Sequence, residues 1–449
     1  LLAVVLAAWE QGRSEAPSER EVSLAYHRAE DEMVVGYPLI HSIPRVPERV
    51  ERGKRLMESA LGRIHGLPGR SHRRRLEHGL ELYLGTAILV QAEWDWDAAG
   101  FEEALMHLRR AGDLPPDSGD WARDVANPSA VGLLADLNAA STLSLMAGVS
   151  MQLAELRGAS SAMVDAYWQR RQSLEFTRRQ VGPPAPLAAS QPLQNEPYVF
   201  RYNDLAEVCL LRAEYSLSTA LADQAIAYTD SSWARRATLQ SNDSAMGSVT
   251  LMRGRAFLVR GVVRGRVADL DSARTYFERS FVYRGPERPV VFAESHRLMA
   301  RAWLARALAS PPGERPAMLA RAGGHAHRAV LALTDSAFAL DRAESRSVLA
   351  EVLLARALAE RSVVFADSAM LPLIANGEVF SPALTPRAYR RDQVLRVRLQ
   401  RVRWQLSGDP ADRVTGGELA VRTRDMSLLA VDSLVLRLAL AEMKLLGVE

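Results

Sequence analysis

Apolar residues recur three and four positions apart along most of the chain, and the strand-like alternation of apolar with polar positions is nearly absent. The runs that carry this period are rich in Ala, Leu and Arg, which favour helix, so the pattern predicts helix after helix. In the first half it predicts helices over Glu21–Val34, Val46–His65, His72–Gln91, Ala98–Ala111, Ala130–Leu156 and Ser160–Gln180. The strongest interruption is Gly182-Pro183-Pro184-Ala185-Pro186, continued by Pro192 and Pro197. Proline lacks a backbone N–H and clashes with the preceding turn, so this stretch is expected to be a linker or long loop. A second pause runs from Asn376-Gly377 through Pro382 and Pro386. The predicted organisation is an apolar start, the end of a signal peptide or membrane anchor, with a polar tail over residues 1–20, and a helical-hairpin block over 21–181. A proline-rich linker over 182–197, a repeat block over 198–376 and C-terminal helices over 377–449 follow.

The second half repeats itself. Met299-Ala300-Arg301-Ala302-Trp303-Leu304-Ala305-Arg306-Ala307-Leu308-Ala309 aligns with Leu349-Ala350-Glu351-Val352-Leu353-Leu354-Ala355-Arg356-Ala357-Leu358-Ala359, and the last six residues are identical. An amphipathic hairpin can bury its apolar stripe only against a neighbour, so repetition of this kind points to stacked hairpins, an all-α solenoid with almost no β-structure. Within it, Gly254-x2-Phe257 is followed by Ala273-x3-Phe277-x2-Ser280, and Ala300-x2-Trp303 by Ala322-x3-Ala326-x2-Ala329. Small positions let two helix backbones approach while a large ring fills the space beside them. Gly254, Phe257, Ala273, Phe277, Ala300 and Trp303 are therefore the expected hairpin anchors.

These spacings resemble the tetratricopeptide-repeat superfamily, in a divergent form whose units run to forty or fifty residues instead of 34. The earlier stretch Tyr83 through Trp94-Asp95-Trp96-Asp97 and Phe101-x2-Ala104 resembles the divergent repeats of bacterial sensory and regulatory proteins. The resemblance implies a non-enzymatic scaffold that binds a protein or peptide partner on the concave face of the array. Two alternatives stay open: a glycan-binding envelope protein, similar to the SusD-like uptake lipoproteins, and the sensory region of a larger membrane-anchored signalling protein.

The formal charge is only +3, and 54 of the 56 cations are arginine, with Lys54 and Lys444 the exceptions. A balance this close to neutral gives no long-range reason to expect nucleic acid as a partner. The one dense basic segment, Arg387 to Arg403, places Leu395, Leu399 and Val402 on one helical face and cations on the rest. Arg390, Arg391, Arg396, Arg398, Arg401 and Arg403 are candidate partner-binding residues, and so are Trp94 and Trp96, which offer two indoles beside two acids at a helical corner.

Enzymatic signatures are missing from the sequence. There is no Walker or dinucleotide glycine loop, no Gly-x-Ser-x-Gly elbow and no His-Glu-x-x-His. The acid clusters Glu30-Asp31-Glu32, Glu102-Glu103 and Asp269 with Asp271 are sequence neighbours, whereas acid–base catalysis needs two carboxyls converging across a cleft. His325 and His327 are two apart and point away from each other on a helix, and the single cysteine, Cys209, sits among Val208, Leu210 and Leu211 as a small core residue. No metal or cofactor is expected. Leu1 to Trp9 is apolar, too short to span a bilayer, and looks like the end of a signal peptide or membrane anchor, which would place the protein in the cell envelope or periplasm; a first cytoplasmic helix is the alternative.

Overall fold

The computed structural model describes residues 18–41, 46–65, 67, 71–95, 97–113, 139–157, 160–181, 184, 192–236, 243–382, 385–429 and 433–448. Among them there are 17 α-helices and no strand. The all-α solenoid of antiparallel hairpins expected from the sequence is what the chain forms. Two compact units are present: Leu1–Asp95 with Ala99–Leu145, and Trp96–Ala98 with Met146–Glu449.

Unit 1 contains α1 (Glu19–His41), α2 (Pro47–Ile64), α3 (Ser71–Asp95), most of α4 (Ala98–Asp113) and the first turns of α5 (Ala139–Arg157). Leu80, Tyr83, Phe101, Ala104 and Leu108 make its apolar centre. Polar groups pair across α3 and α4: His78 Nδ1 donates to the Ala111 carbonyl at 2.6 Å, and His107 meets Glu81 at 2.5 Å.

Unit 2 continues with α6 (Ser160–Val181), α7 (Pro192–Ser216), α8 (Thr219–Arg235), α9 (Asp243–Arg264) and α10 (Val267–Ser280). It goes on through α11 (Pro289–Leu308), α12 (Arg315–Leu331), α13 (Ala339–Glu360), α14 (Val363–Asn376), α15 (Pro386–Ser407), α16 (Pro410–Leu429) and α17 (Ser433–Leu446). The units divide at residues 145 and 146 and not in the proline-rich stretch. Ala147, Met151 and Ala154 of α5 and Met163 and Ala166 of α6 share one apolar cluster with Val208, Leu211 and Tyr215 of α7. The stretch predicted as linker, 182–197, is also shorter than expected, because α7 begins at Pro192. Proline is tolerated in the first turn of a helix, where its missing N–H has no intrahelical partner, and α7 also carries Pro197 inside it. Residues 377–449 are no separate section: Ala350, Leu354 and Ala357 of α13 and Ala366 of α14 pack with Leu399 and Val402 of α15.

Hairpins α7/α8, α9/α10, α11/α12, α13/α14 and α15/α16 repeat, their first helices beginning at 192, 243, 289, 339 and 386. The duplicated hexapeptide occupies the same place on α11 and α13. Leu304 and Ala307, and likewise Leu354 and Ala357, are buried in it. Helix ends follow local chemistry: Ser218 caps α8 by accepting from Leu221 N–H, and Gly408, at φ +76°, closes α15 with its N–H on the Trp404 carbonyl at 2.8 Å. The first helix of each hairpin also touches the first helix of the next, through α7, α9, α11, α13, α15 and α17, while α8, α10, α12, α14 and α16 lie outside them. The row returns to its start: Arg437 of α17 donates to the Tyr215 carbonyl of α7, and Arg387 of α15 lies 3.6 Å from the centre of the Tyr215 ring. Six inner helices of unit 2 therefore enclose an interior.

Candidate functional site

Three of the inner helices carry charged residues at the three- and seven-residue spacings that keep them on one helical face. On α11 the stripe is Glu294, Arg297 and Arg301; on α13 it includes Asp341, Glu344 and Glu351; on α15 it includes Arg391 and Arg398. The stripes knit neighbouring inner helices together. Arg297 reaches Glu344 at 2.8 Å, Arg398 reaches Glu351 at 3.6 Å and Glu442 of α17 at 2.8 Å, and Arg401 takes the other Glu442 oxygen at 2.6 Å.

Arg301 is exposed and Glu207 and Glu294 are only half-buried, yet loss of hydration is the leading influence on the proton affinity of all three. Groups that touch water but are crowded by protein line a recess, not an outer surface. Burial pushes the Glu207 carboxyl up despite Arg255 and Arg170. At Glu294 burial acts in the same sense, but Arg284, Arg255 and Arg297 outweigh it and hold the carboxyl below its ordinary range. The Arg301 guanidinium is pushed down by burial first; Glu351 of α13 and Glu214 of α7 oppose the shift, and Arg391 of α15 and Arg297 add to it. Charges from α7, α13 and α15 thus act on one side chain of α11, as a shared interior requires.

The predicted basic helix is largely absorbed by these pairings. Arg390 is buried, Arg396 pairs with Asp392 at 2.8 Å, Arg398 and Arg401 share Glu442, and Arg403 meets Asp367 at 2.9 Å. Among the described residues, Arg391 and Arg301 make no hydrogen bond or ion pair. Trp96 and the side chain of Trp94 lie outside the described residues, as does Leu1 to Trp9. The expected hairpin anchors come together around α9 to α12: Ala273, Phe277 and Trp303 belong to one cluster with Leu270, Leu319 and Val352. Ala300 packs with Ala326 and Val348, and Gly254 lies against the Phe277 ring. Phe257 is only half-buried at the margin of the cluster.

Two features escaped the sequence reading. His296 of α11 and His325 of α12 meet with their Nδ1 atoms 2.9 Å apart, between the rings of Phe281 and Phe292. The closure of α17 onto α7 was equally invisible. Among the described residues no group of three His, Cys, Asp or Glu side chains could hold a metal, and no helix is long and apolar enough to cross a membrane. Asp269 accepts two hydrogen bonds from Arg260, at 2.7 and 2.9 Å. A groove of about 750 Å³ on α16, between Arg413, Val414, Val421 and Val448, contains none of the inner-face charges.

Cys209 is fully buried, and burial pushes its thiol up to about 12. The thiolate is the reactive form. Folded protein at pH 8 is therefore expected to leave a chromogenic disulfide reagent unreacted over hours, with one thiol titrating on unfolding; prompt labelling of the native protein would contradict the packing around it.

No family model matches the sequence, and no curated protein matches it. Among solved structures, the chain is similar to that of the "Crystal structure of Scc4 in complex with Scc2n", at 9% identity, over 95% of this chain and 98% of that one, with a TM-score of 0.24.

Proposed function

We propose that this chain is a non-enzymatic, tetratricopeptide-like interaction scaffold whose unit 2 interior holds an extended segment of a protein partner. The observation that carries this reading is the charged lining: side chains of both signs stay in contact with water inside a ring of helices, where a structural core would be apolar. Stacked hairpins bind extended peptides through many modest contacts along such a face. The inner carboxylates are engaged by arginines, as Glu344, Glu351 and Glu442 are, and serve as fixed partners more readily than as mobile acids.

The test places a photo-crosslinking amino acid in the full chain at Glu214, on the inner face of α7, and separately at Ala320, exposed on α12. Expressed in the native organism, the Glu214 variant is expected to capture a discrete protein partner that the Ala320 variant does not. Capture from Ala320 alone would move the docking face to the outside of the array.

A further inference from the structure

The outer helices of unit 2 differ in what they show to solvent. Between them α8, α10 and α12 expose one large apolar residue, Leu331 at the end of α12; elsewhere their open positions carry residues such as Thr275, Glu278 and Arg279, or Arg321, His327 and Arg328. α14 holds the same place in the repeat and exposes Val363, Val364, Met370, Leu371 and Ile374, with Val364, Leu371 and Ile374 open by 65%, 67% and 55%. Its one exposed charge, Asp367, is held by Arg403 of α15 at 2.9 Å. Apolar side chains scattered singly are ordinary on a surface. These five together leave roughly 400 Å² of contiguous apolar surface, the size at which a patch marks an interaction face.

We propose that α14 pairs with α14 of a second copy of this chain, antiparallel across a two-fold axis. Val364, Asp367, Leu371 and Ile374 recur at the three- and four-residue steps of a helix–helix seam. The steps are the same read in either direction, so an antiparallel mate sets Val364 opposite the partner's Ile374 and Asp367 opposite the partner's Leu371, each pair occurring twice. Because Arg403 already neutralises Asp367, the seam covers no uncompensated charge. The ends choose the direction. Arg361 precedes α14 and Glu378 follows it; both are exposed, and neither makes an ion pair among the described residues. Antiparallel pairing brings Arg361 beside the partner's Glu378 at both ends, whereas parallel pairing brings like charges together. Two such faces bury roughly 1,000 Å² in all, the low end for a specific complex, so the dimer is a reversible one with Kd on the order of 10 μM. The pairing uses the outer side of the ring and is independent of what the interior holds.

Sedimentation velocity of the full chain between about 1 and 100 μM, at about 0.15 M salt, is expected to show a monomer–dimer equilibrium. Leu371→Asp is expected to weaken dimerisation at least about ten-fold, and Val262→Asp, at a comparably open apolar site on α9, to leave it within about two-fold. Leu371 is two-thirds exposed, so its replacement is expected to keep Tm within about 2 °C of wild type. Introduced cysteines read the register, since the native Cys209 is buried. A mixture of Val364→Cys and Ile374→Cys chains is expected to form an intermolecular disulfide that neither chain forms alone. Arg361→Glu is expected to weaken the dimer about three-fold, and Arg361→Glu/Glu378→Arg to restore it. A chain still monomeric at about 100 μM, a dimer indifferent to Leu371→Asp, or a disulfide formed by Val364→Cys alone would overturn the pairing. A monomer that uses Leu371 to sediment with phosphatidylserine vesicles, or to capture a different protein, would overturn it as well and give the face to that occupant.

Discussion

Acidification from pH 7 to pH 4 is expected to destabilise unit 2 through His296 and His325. Their Nδ1 atoms face each other at 2.9 Å, so one ring must donate and the other accept; the accepting ring must be neutral at Nδ1, and the pair is lost once both rings are protonated. Phe281 and Phe292 pack on His296 with ring centroids 4.6 and 4.5 Å away. Burial, then the neighbouring histidine and Arg328, push His296 from 6.5 down to about 4; burial and Arg328 do the same to His325. The sign follows from where each state takes up protons. Above pH 6.5 neither state holds these protons, and stability is unaffected. Between 6.5 and about 4 the unfolded chain is protonated and the folded one is not, so stability falls with pH, by on the order of 3 kcal/mol for each imidazole by pH 4. Glu207, Asp341 and Asp392 act in the opposite sense, since burial pushes their carboxyls up and the folded state takes their protons first. Urea unfolding at pH 7, 6, 5 and 4.5, compared between wild type and His296→Gln/His325→Asn, isolates the histidine contribution. The wild type is expected to lose stability more steeply than the double variant; parallel curves would mean that the folded pair is not held neutral.

The helices were legible because their signal is local. A stripe at three and four residues must face something apolar wherever it lies, and the six-residue repeat at Leu304 and Leu354 set the hairpin spacing before any contact was known. The predicted linker was overextended because proline reads as a breaker at every position, although Pro192 sits where a helix start accepts it. What the sequence could not show was which charged face looks inward. The α11 stripe Glu294, Arg297, Arg301 has the same spacing and composition as a solvated surface, and its character depends on partners that arrive from elsewhere in the chain. Arg398 and Glu442 lie 44 positions apart, so the basic helix looked available to a partner when most of its cations were already taken. The histidine pair was missed for the same reason: His325 was weighed against its neighbour His327, while its hydrogen-bond partner stands on the preceding helix.

Phe277→Ala is expected to cost about 3 to 5 kcal/mol, the usual loss for a fully buried ring. Phe277 is inaccessible to solvent and sits in the cluster that joins α9, α10, α11 and α12. Its seat explains the glycine opposite: a Cβ at Gly254 would stand 2.5 Å from Phe277 Cε1, closer than two carbons can approach, so the absence of a side chain lets α9 and α10 close around the ring. Phe257 occupies the motif's other aromatic position but lies at the rim, stacked on Tyr276 at 5.6 Å and flanked by Arg253 and Arg260. Truncating it exposes little new cavity, and Phe257→Ala is expected to cost only about 1 to 2 kcal/mol. The two anchors, equivalent in the sequence pattern, thus separate by depth. A double-mutant cycle tests the contact directly. Gly254→Ala alone forces the ring aside and destabilises, but in the Phe277→Ala background the added methyl enters vacated space, so the two changes together should cost at least about 1 kcal/mol less than their sum. Strict additivity, or a Phe277→Ala loss no larger than that of Phe257→Ala in chemical unfolding, would place the hairpin's closest approach somewhere other than Gly254 and Phe277.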